Sequence, residues 1–143
     1  MPSDFGFKVM NAVHRGLLKI TGGRVGWEVL DMPVLELTTL GRKRGRPHSV
    51  MLTSPVQDGQ ILVVVASRGG DDRSPAWFMN IRDNPEVQVA LKGAAKQRMR
   101  ARIATPEERA HLWPRVVADH QNYATYQART SRQIPLVLLE PVA

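Results

Sequence analysis

Four cations, Arg42, Lys43, Arg44 and Arg46, fall within five positions of the stretch LTTLGRKRGRPHS, residues 37–49, interleaved with Gly41 and Gly45. Glycines let backbone N–H groups approach an anion closely, and arginine and lysine supply charge-assisted donors. That is the chemistry of a phosphate cradle, although a solvated loop has the same composition. The G-x-x-x-x-G-K-[ST] spacing of a Walker loop is absent. A second stretch, ASRGGDDRSPAWFMN at residues 66–80, repeats the theme with Ser67, Arg68, Gly69 and Gly70. Glycine-rich turns and helix N-termini both attract anions, but a plain strand-to-helix connection would read the same way. Two such loops in one small domain favour an extended anion site, and neither says whether the anion is a nucleotide cofactor or RNA.

The remaining chemistry-bearing residues are few. Tyr123 and Tyr126 lie three apart, so on a helix they share a face, where a phenol could stack on a substrate, donate a proton or pack. His14, His48, His111 and His120 have no metal-ligand spacing, and there is no H-E-x-x-H or nucleophile elbow, so no metal site is expected. The absence of cysteine excludes disulfides, thiolate ligands and a cysteine nucleophile.

The elements that must position these residues are short. Residues 5–20 have helical apolar spacing, ended by the TGG at 21–23. Strands are predicted over 33–40, 48–57, 61–66, 87–91, 97–103 and 134–139, with turns at Asp58-Gly59 and Lys92-Gly93. The run ILVVVA, 61–66, reads as buried on both faces, and QRMRARI, 97–103, alternates Met99, Ala101 and Ile103 against Arg98, Arg100 and Arg102. A short helix is predicted to open with Ser74 as N-cap and Pro75 as first residue. Another opens at Thr105 with Glu108 placed for a capping box, and Pro114 is expected to kink or restart it. Trp27, Trp77 and Trp113 are core candidates. These elements predict a single domain, 1–143, with an N-terminal helical segment over 1–22 and, from 33 to 143, an antiparallel barrel with peripheral helices.

The whole chain sets the partner class. Its 143 residues suffice for one core, and the 43% apolar and 23% charged composition is that of a globular protein. A formal net charge of +7 favours an anionic partner. Neither a signal peptide nor a membrane-length apolar run is read, so a cytoplasmic protein is expected. Lys8, Arg15 and Lys19 punctuate the N-terminal apolar face, which could lie on a membrane, on the barrel or on a dimer partner. A nucleic-acid-binding β-barrel module is the alternative from charge alone. Its weakness is an aromatic content of only 6%, too low for an interleaved stacking platform.

Taken in order, TGGRVG, LELTTLGRKRGRP, VVVASRGGDDRSPAWFMNIRDNPEV, ARIATPEERAHLWPRVV and YATYQARTSRQIPLVLLEP resemble the deazaflavin-dependent nitroreductase family over residues 20–142. The resemblance implies a mainly β (α+β) split β-barrel, similar to FMN-binding flavin reductases. It also implies reduced coenzyme F420 as hydride donor, with FMN a weaker ligand, and electron-poor acceptors: quinones, activated enones and lactones such as coumarins, or nitroaromatics. A non-catalytic deazaflavin carrier of the same fold is a further alternative. The coenzyme carries a phosphate and an acidic oligoglutamate tail, which suits the basic loop. In the resemblance Gly41, Arg42 and Lys43 match the phosphate- and tail-binding stretch, and His48, Met51, Leu52 and Ala66 also border the cofactor. Ser67, Arg68 and Gly69 match the loop beside the deazaflavin and its side chain. Trp77 and Asn80 match a PxWxxN element that closes over it. Tyr123 and Tyr126 match tyrosines on the acceptor side; Tyr126, His120 or water would supply the proton. The partners implied are the anionic cofactor and a small-molecule acceptor, with no specific nucleic acid, in a monomer or homodimer. His48 stands where the family often has arginine, Arg68 where lysine is usual, Thr53 near a bulkier residue and His120 where a third tyrosine is common.

Overall fold

The computed structural model describes residues 28–29 and 32–142. The helix expected over 5–20, Trp27 and His14 lie outside the described residues. The elements are β1 (Glu28–Val29), β2 (Met32–Leu40), β3 (Pro47–Thr53), β4 (Val56–Asp58), β5 (Ile61–Val65), a one-turn 3-10 segment (Arg68–Gly70), α1 (Ala76–Asp83), β6 (Glu86–Leu91), β7 (Gln97–Ile103), α2 (Pro106–Asp119), α3 (Asn122–Ala128) and β8 (Leu136–Pro141). The sheet runs β1-β2-β6-β7-β8-β5-β4, with β3 also paired to β2, and every pairing is antiparallel. It curls into a half-barrel, within the antiparallel barrel class that the strand spacing predicts.

Alternation along the strands builds two cores. Leu62, Val64, Val137 and Leu139 join Leu35, Leu37, Val87, Val89, Met99 and Ala101 in one cluster, capped by Trp77, Phe78 and Ile81 of α1. Their neighbours Val63, Val65, Leu136 and Leu138 face the other way, against Leu112 and Val116 of α2 and Tyr123 of α3. This is why β5 and β8 read as unbroken apolar runs: helices or strands cover both faces.

Several boundaries differ from the sequence reading. The strand expected over 48–57 is broken at Ser54, which is fully buried. The Ser54 hydroxyl has the Val63 carbonyl at 2.7 Å and the Val56 carbonyl at 2.9 Å as acceptors for its one proton, and its N–H donates to the Pro33 carbonyl. A small hydroxyl that can answer these groups lets the chain turn a corner in the core, and no hydrophobic pattern signals that. The N-cap of α1 is Pro75, not Ser74; it is extended at φ −64 and ψ 152, and Ala76 is the first helical residue. α2 runs unbroken through Pro114, so no restart occurs. Ile103, on the same face of β7 as the buried Met99 and Ala101, is 42% exposed at the end of the strand. Trp113 is only half-buried, with the Arg109 guanidinium over its ring at 4.4 Å. The capping box is present: Glu108 N–H donates to Thr105 Oγ1 at 3.2 Å, and Thr105 N–H to Glu108 Oε1 at 2.9 Å.

Candidate active site

The β2–β3 hairpin carries the basic stretch. Its turn closes through Gly41 N–H to the Arg46 carbonyl at 2.8 Å and Gly45 N–H to the Gly41 carbonyl at 3.0 Å. Gly45 sits at φ +65, where other residues are strained. A Cβ on Gly41 would stand 2.9 Å from His48 Nε2, so glycine is what lets that imidazole lie against the turn. Arg42, Lys43, Arg44 and Arg46 are exposed, and none has a side-chain hydrogen bond or ion pair among the described residues. Four uncompensated cations on one turn repel one another, and an incoming polyanion relieves that cost.

The second loop leaves β5 through the buried Ala66 and Ser67 and turns left-handed over three residues: Arg68 at φ 47, Gly69 at 63 and Gly70 at 85. Asp71 holds it from within. Its carboxylate takes Arg68 Nη1 at 2.6 Å and the Arg73 N–H at 3.0 Å. The Arg73 N–H, ahead of the Arg68 charge, keeps that carboxyl below the usual range. The charge of Arg68 is therefore already matched, unlike those of the hairpin.

α1 joins the two loops. Asn80 is buried and donates from Nδ2 to Thr39 Oγ1 at 3.0 Å, two residues before Gly41. Trp77, 6% exposed, packs edge-on against Phe78 in the barrel core. Both residues are thus buried, Trp77 in the barrel core and Asn80 against β2. Leu52 of β3 packs against the same core, and Met51 stands half-buried beside it.

α3 supplies the third wall. Tyr123 is 7% exposed; its hydroxyl lies 3.2 Å from Thr53 Oγ1 and donates to Met32 Sδ at 3.7 Å. Burial pushes its phenol pKa up. Tyr126, half-exposed, meets Tyr123 edge-on at 5.9 Å, as the three-residue spacing predicts, and His120 meets Tyr123 at 6.4 Å. Gly70 and α3 touch directly: a Cβ on Gly70 would stand 2.6 Å from the Tyr126 carbonyl oxygen. The tyrosine helix and the glycine–arginine loop are one packed unit. Missing from the sequence reading are Arg129 and Arg132, which reach this loop from about sixty residues away, as their bonds to Gly69 and Ala66 show. Contacts over that separation leave no local signal.

Other features fall outside the site. A cavity of about 420 Å³ is lined by Leu62, Val89, Leu91 and Met99 and by Ala94 and Ala95 of the turn between β6 and β7. The arginine face of β7 is partly neutralised, because Arg102 binds Glu108 at 2.6 Å and Glu140 at 3.0 Å. No cluster that could hold a metal ion occurs among the described residues.

The family described as F420H(2)-dependent quinone reductase matches residues 11–141. The chain belongs to this family. An F420H(2)-dependent quinone reductase of Mycobacterium tuberculosis is 38% identical over 136 residues, 92% of this chain and 87% of that protein. Among solved structures, an F420-H2 dependent reductase, FDR-A, superposes with a TM-score of 0.64 at 35% identity, covering 76% of this chain and 94% of that one. A protein described as a domain-swapped dimer superposes at 0.66 with 34% identity, covering 92% and 98%. A pyridoxamine 5'-phosphate oxidase-like protein of Listeria innocua, at 16% identity and a TM-score of 0.54, shares the split-barrel fold. F420H2-dependent quinone reductases are enzymes whose hydride donor is reduced F420. The cationic hairpin and glycine turns of this chain fit a coenzyme that bears a phosphate and an acidic tail.

Proposed function

We propose that this protein reduces quinones with F420H2, and that activated enones, lactones such as coumarins, and nitroaromatics are further acceptors. The observation that carries this reading is the β2–β3 turn of four exposed cations with no side-chain partner among the described residues, on the strand that Asn80 of α1 bonds through Thr39. In this reading Gly41, Arg42, Lys43 and His48 bind the phosphate and tail, and Ala66, Ser67, Arg68 and Gly69 border the deazaflavin. Met51 and Leu52 shape the strand beneath, and Trp77 and Asn80 hold both loops in place.

When bound, reduced F420 supplies the hydride. The chain supplies orientation, exclusion of water and a proton route. A quinone that takes up a hydride needs one proton to become the quinol. Tyr123 is a poor source, since its hydroxyl is buried against Thr53 and Met32. Tyr126 is half-exposed on the same helix and is the proposed donor or carbonyl anchor, with solvent and His120 behind it. A homodimer is one proposed assembly, supported by the relative described as a domain-swapped dimer.

The test is titration of the protein with F420 and with FMN by fluorescence, followed by oxidation of F420H2 with a soluble quinone. F420 should bind at least about tenfold more tightly, roughly 1.4 kcal/mol, and its reduced form should be consumed only when quinone is present. Equal FMN affinity, or no quinone-dependent oxidation, would sink the reading.

A further inference from the structure

We infer that Arg132 is a positioning residue for the coenzyme loop, acting as a clamp that holds the left-handed turn at Arg68–Gly70 in its binding form. The inference rests on the assignment of residues 66–69 to the coenzyme.

The geometry is that of a staple. Arg132 Nη2 donates to the carbonyl of Ser67 at 2.8 Å and that of Ala66 at 3.2 Å, while Nε donates to the carbonyl of Asp71 at 2.9 Å. One rigid guanidinium thus spans the turn from the residues before it to the residue after it. Arg129 Nη1 adds a bond to the Gly69 carbonyl at 3.3 Å, and the Thr130 hydroxyl bonds Asp72 at 2.7 Å. Between the clamped ends lie three consecutive positive φ angles, the first on a residue with a side chain, Arg68 at φ 47. Such a turn stays formed only where its surroundings over-determine it.

Two consequences follow for an anionic ligand. Four carbonyl oxygens of the loop, those of Ala66, Ser67, Gly69 and Asp71, are turned toward guanidinium groups, where they do not repel a phosphate or acidic side chain. The clamp is itself anchored from the acceptor side. Gln127 of α3 donates to the Arg132 carbonyl at 2.7 Å, and its Oε1 takes the N–H of Ile134 at 2.9 Å and Arg109 Nη2 at 3.2 Å. Arg132 therefore transmits the position of α3 to the loop without belonging to either tyrosine or cationic hairpin. Its partners lie 61 to 66 residues upstream, and a lysine could satisfy only part of the set.

The experiment compares wild type, Arg132→Gln, Arg132→Lys and Gly70→Ala, each checked for folding by thermal melt. F420H2 and quinone kinetics are measured beside a fluorescence titration with F420. Arg132→Gln should raise the coenzyme Kd and KM by about tenfold or more, with kcat at saturating coenzyme and the quinone KM within about twofold of wild type. Arg132→Lys should fall between. Gly70→Ala, which strains the same turn without touching Arg132 but also presses a Cβ on the Tyr126 backbone, should show the coenzyme defect together with an altered kcat or quinone KM. Arg132→Gln with wild-type coenzyme affinity, beside a defective Gly70→Ala, would overturn the clamp and leave the loop assignment standing. A proportionate fall in every kinetic constant together with loss of folded protein would also overturn it, since that marks a residue serving the fold alone. Wild type that binds no F420, or Gly70→Ala and Arg132→Gln that both bind it normally, would overturn the loop assignment itself.

Discussion

Tyr123 and Tyr126 share a helix face and a side chain, and they differ in what surrounds their hydroxyls. Tyr123 is tied to Thr53 and Met32, and burial keeps its phenol protonated well beyond neutral pH. Replacing it with phenylalanine keeps the ring and loses one half-satisfied bond, so stability should fall by about 0.5–1.5 kcal/mol, read as a lowered Tm. Quinone turnover should stay near wild type. Tyr126→Phe should do the opposite: an unchanged melt and coenzyme affinity, with turnover lowered about 10²-fold or more if the hydroxyl donates the proton. Steady-state kinetics at saturating F420H2 separates the two, and wild-type turnover in Tyr126→Phe would leave His120 or water as donor. The pair was legible from spacing alone. The division of labour was not, because it is set by Thr53, seventy residues away on another strand.

α2 shows what elements encode locally. Thr105, Pro106 and Glu108 announce its start, and the structure has the capping box that they predict. Glu108 also binds Arg102 of β7, which in turn binds Glu140 of β8, so the helix start is fastened to the sheet. The Arg102 bonds, ahead of the Thr105 N–H, lower the Glu108 pKa to about 2 from 4.5. A carboxyl depressed on folding contributes stability above its unfolded pKa and loses it as pH falls toward the folded value. The stability gap between wild type and Glu108→Gln should therefore be constant above about pH 4.5 and close as pH falls to about 2, with a size of no more than about 1 kcal/mol for so exposed a pair. Thermal melts over that range check it, and a gap that widens in acid would show that another group governs. Thr105→Ala should cost about 1 kcal/mol at any of these pH values. Strand types and most turns were equally legible, since alternation and glycine act over a few residues. Ser54 was not, because a strand that turns inside a core keeps its apolar pattern and hides the break behind one hydroxyl.

At the scale of the molecule, the net charge of +7 is unevenly spent. Arg68 and Arg102 answer carboxylates, and Arg132 answers carbonyls, all within the fold. Arg42, Lys43, Arg44 and Arg46 answer nothing among the described residues and share one turn. A charge held that way costs stability unless a partner uses it, and the partner's affinity must then depend on salt. Replacing Arg42 and Lys43 together with alanine should weaken F420 binding by about 2–4 kcal/mol at low ionic strength if both make charge-assisted bonds. The fold should survive, since neither side chain touches the core and removing like charges relieves repulsion. Raising ionic strength from about 0.01 to 0.15 M shortens the screening length from about 30 to 8 Å, so wild-type affinity should fall steadily across that range. The double variant should show a shallower slope, and FMN, which has a phosphate but no acidic tail, should show a shallower slope than F420 with wild type. The measurement is a matrix of fluorescence titrations, two proteins by two ligands by several salt concentrations. Equal slopes for F420 in wild type and variant would remove the hairpin from the tail-binding surface and place the coenzyme's anionic end elsewhere on the barrel.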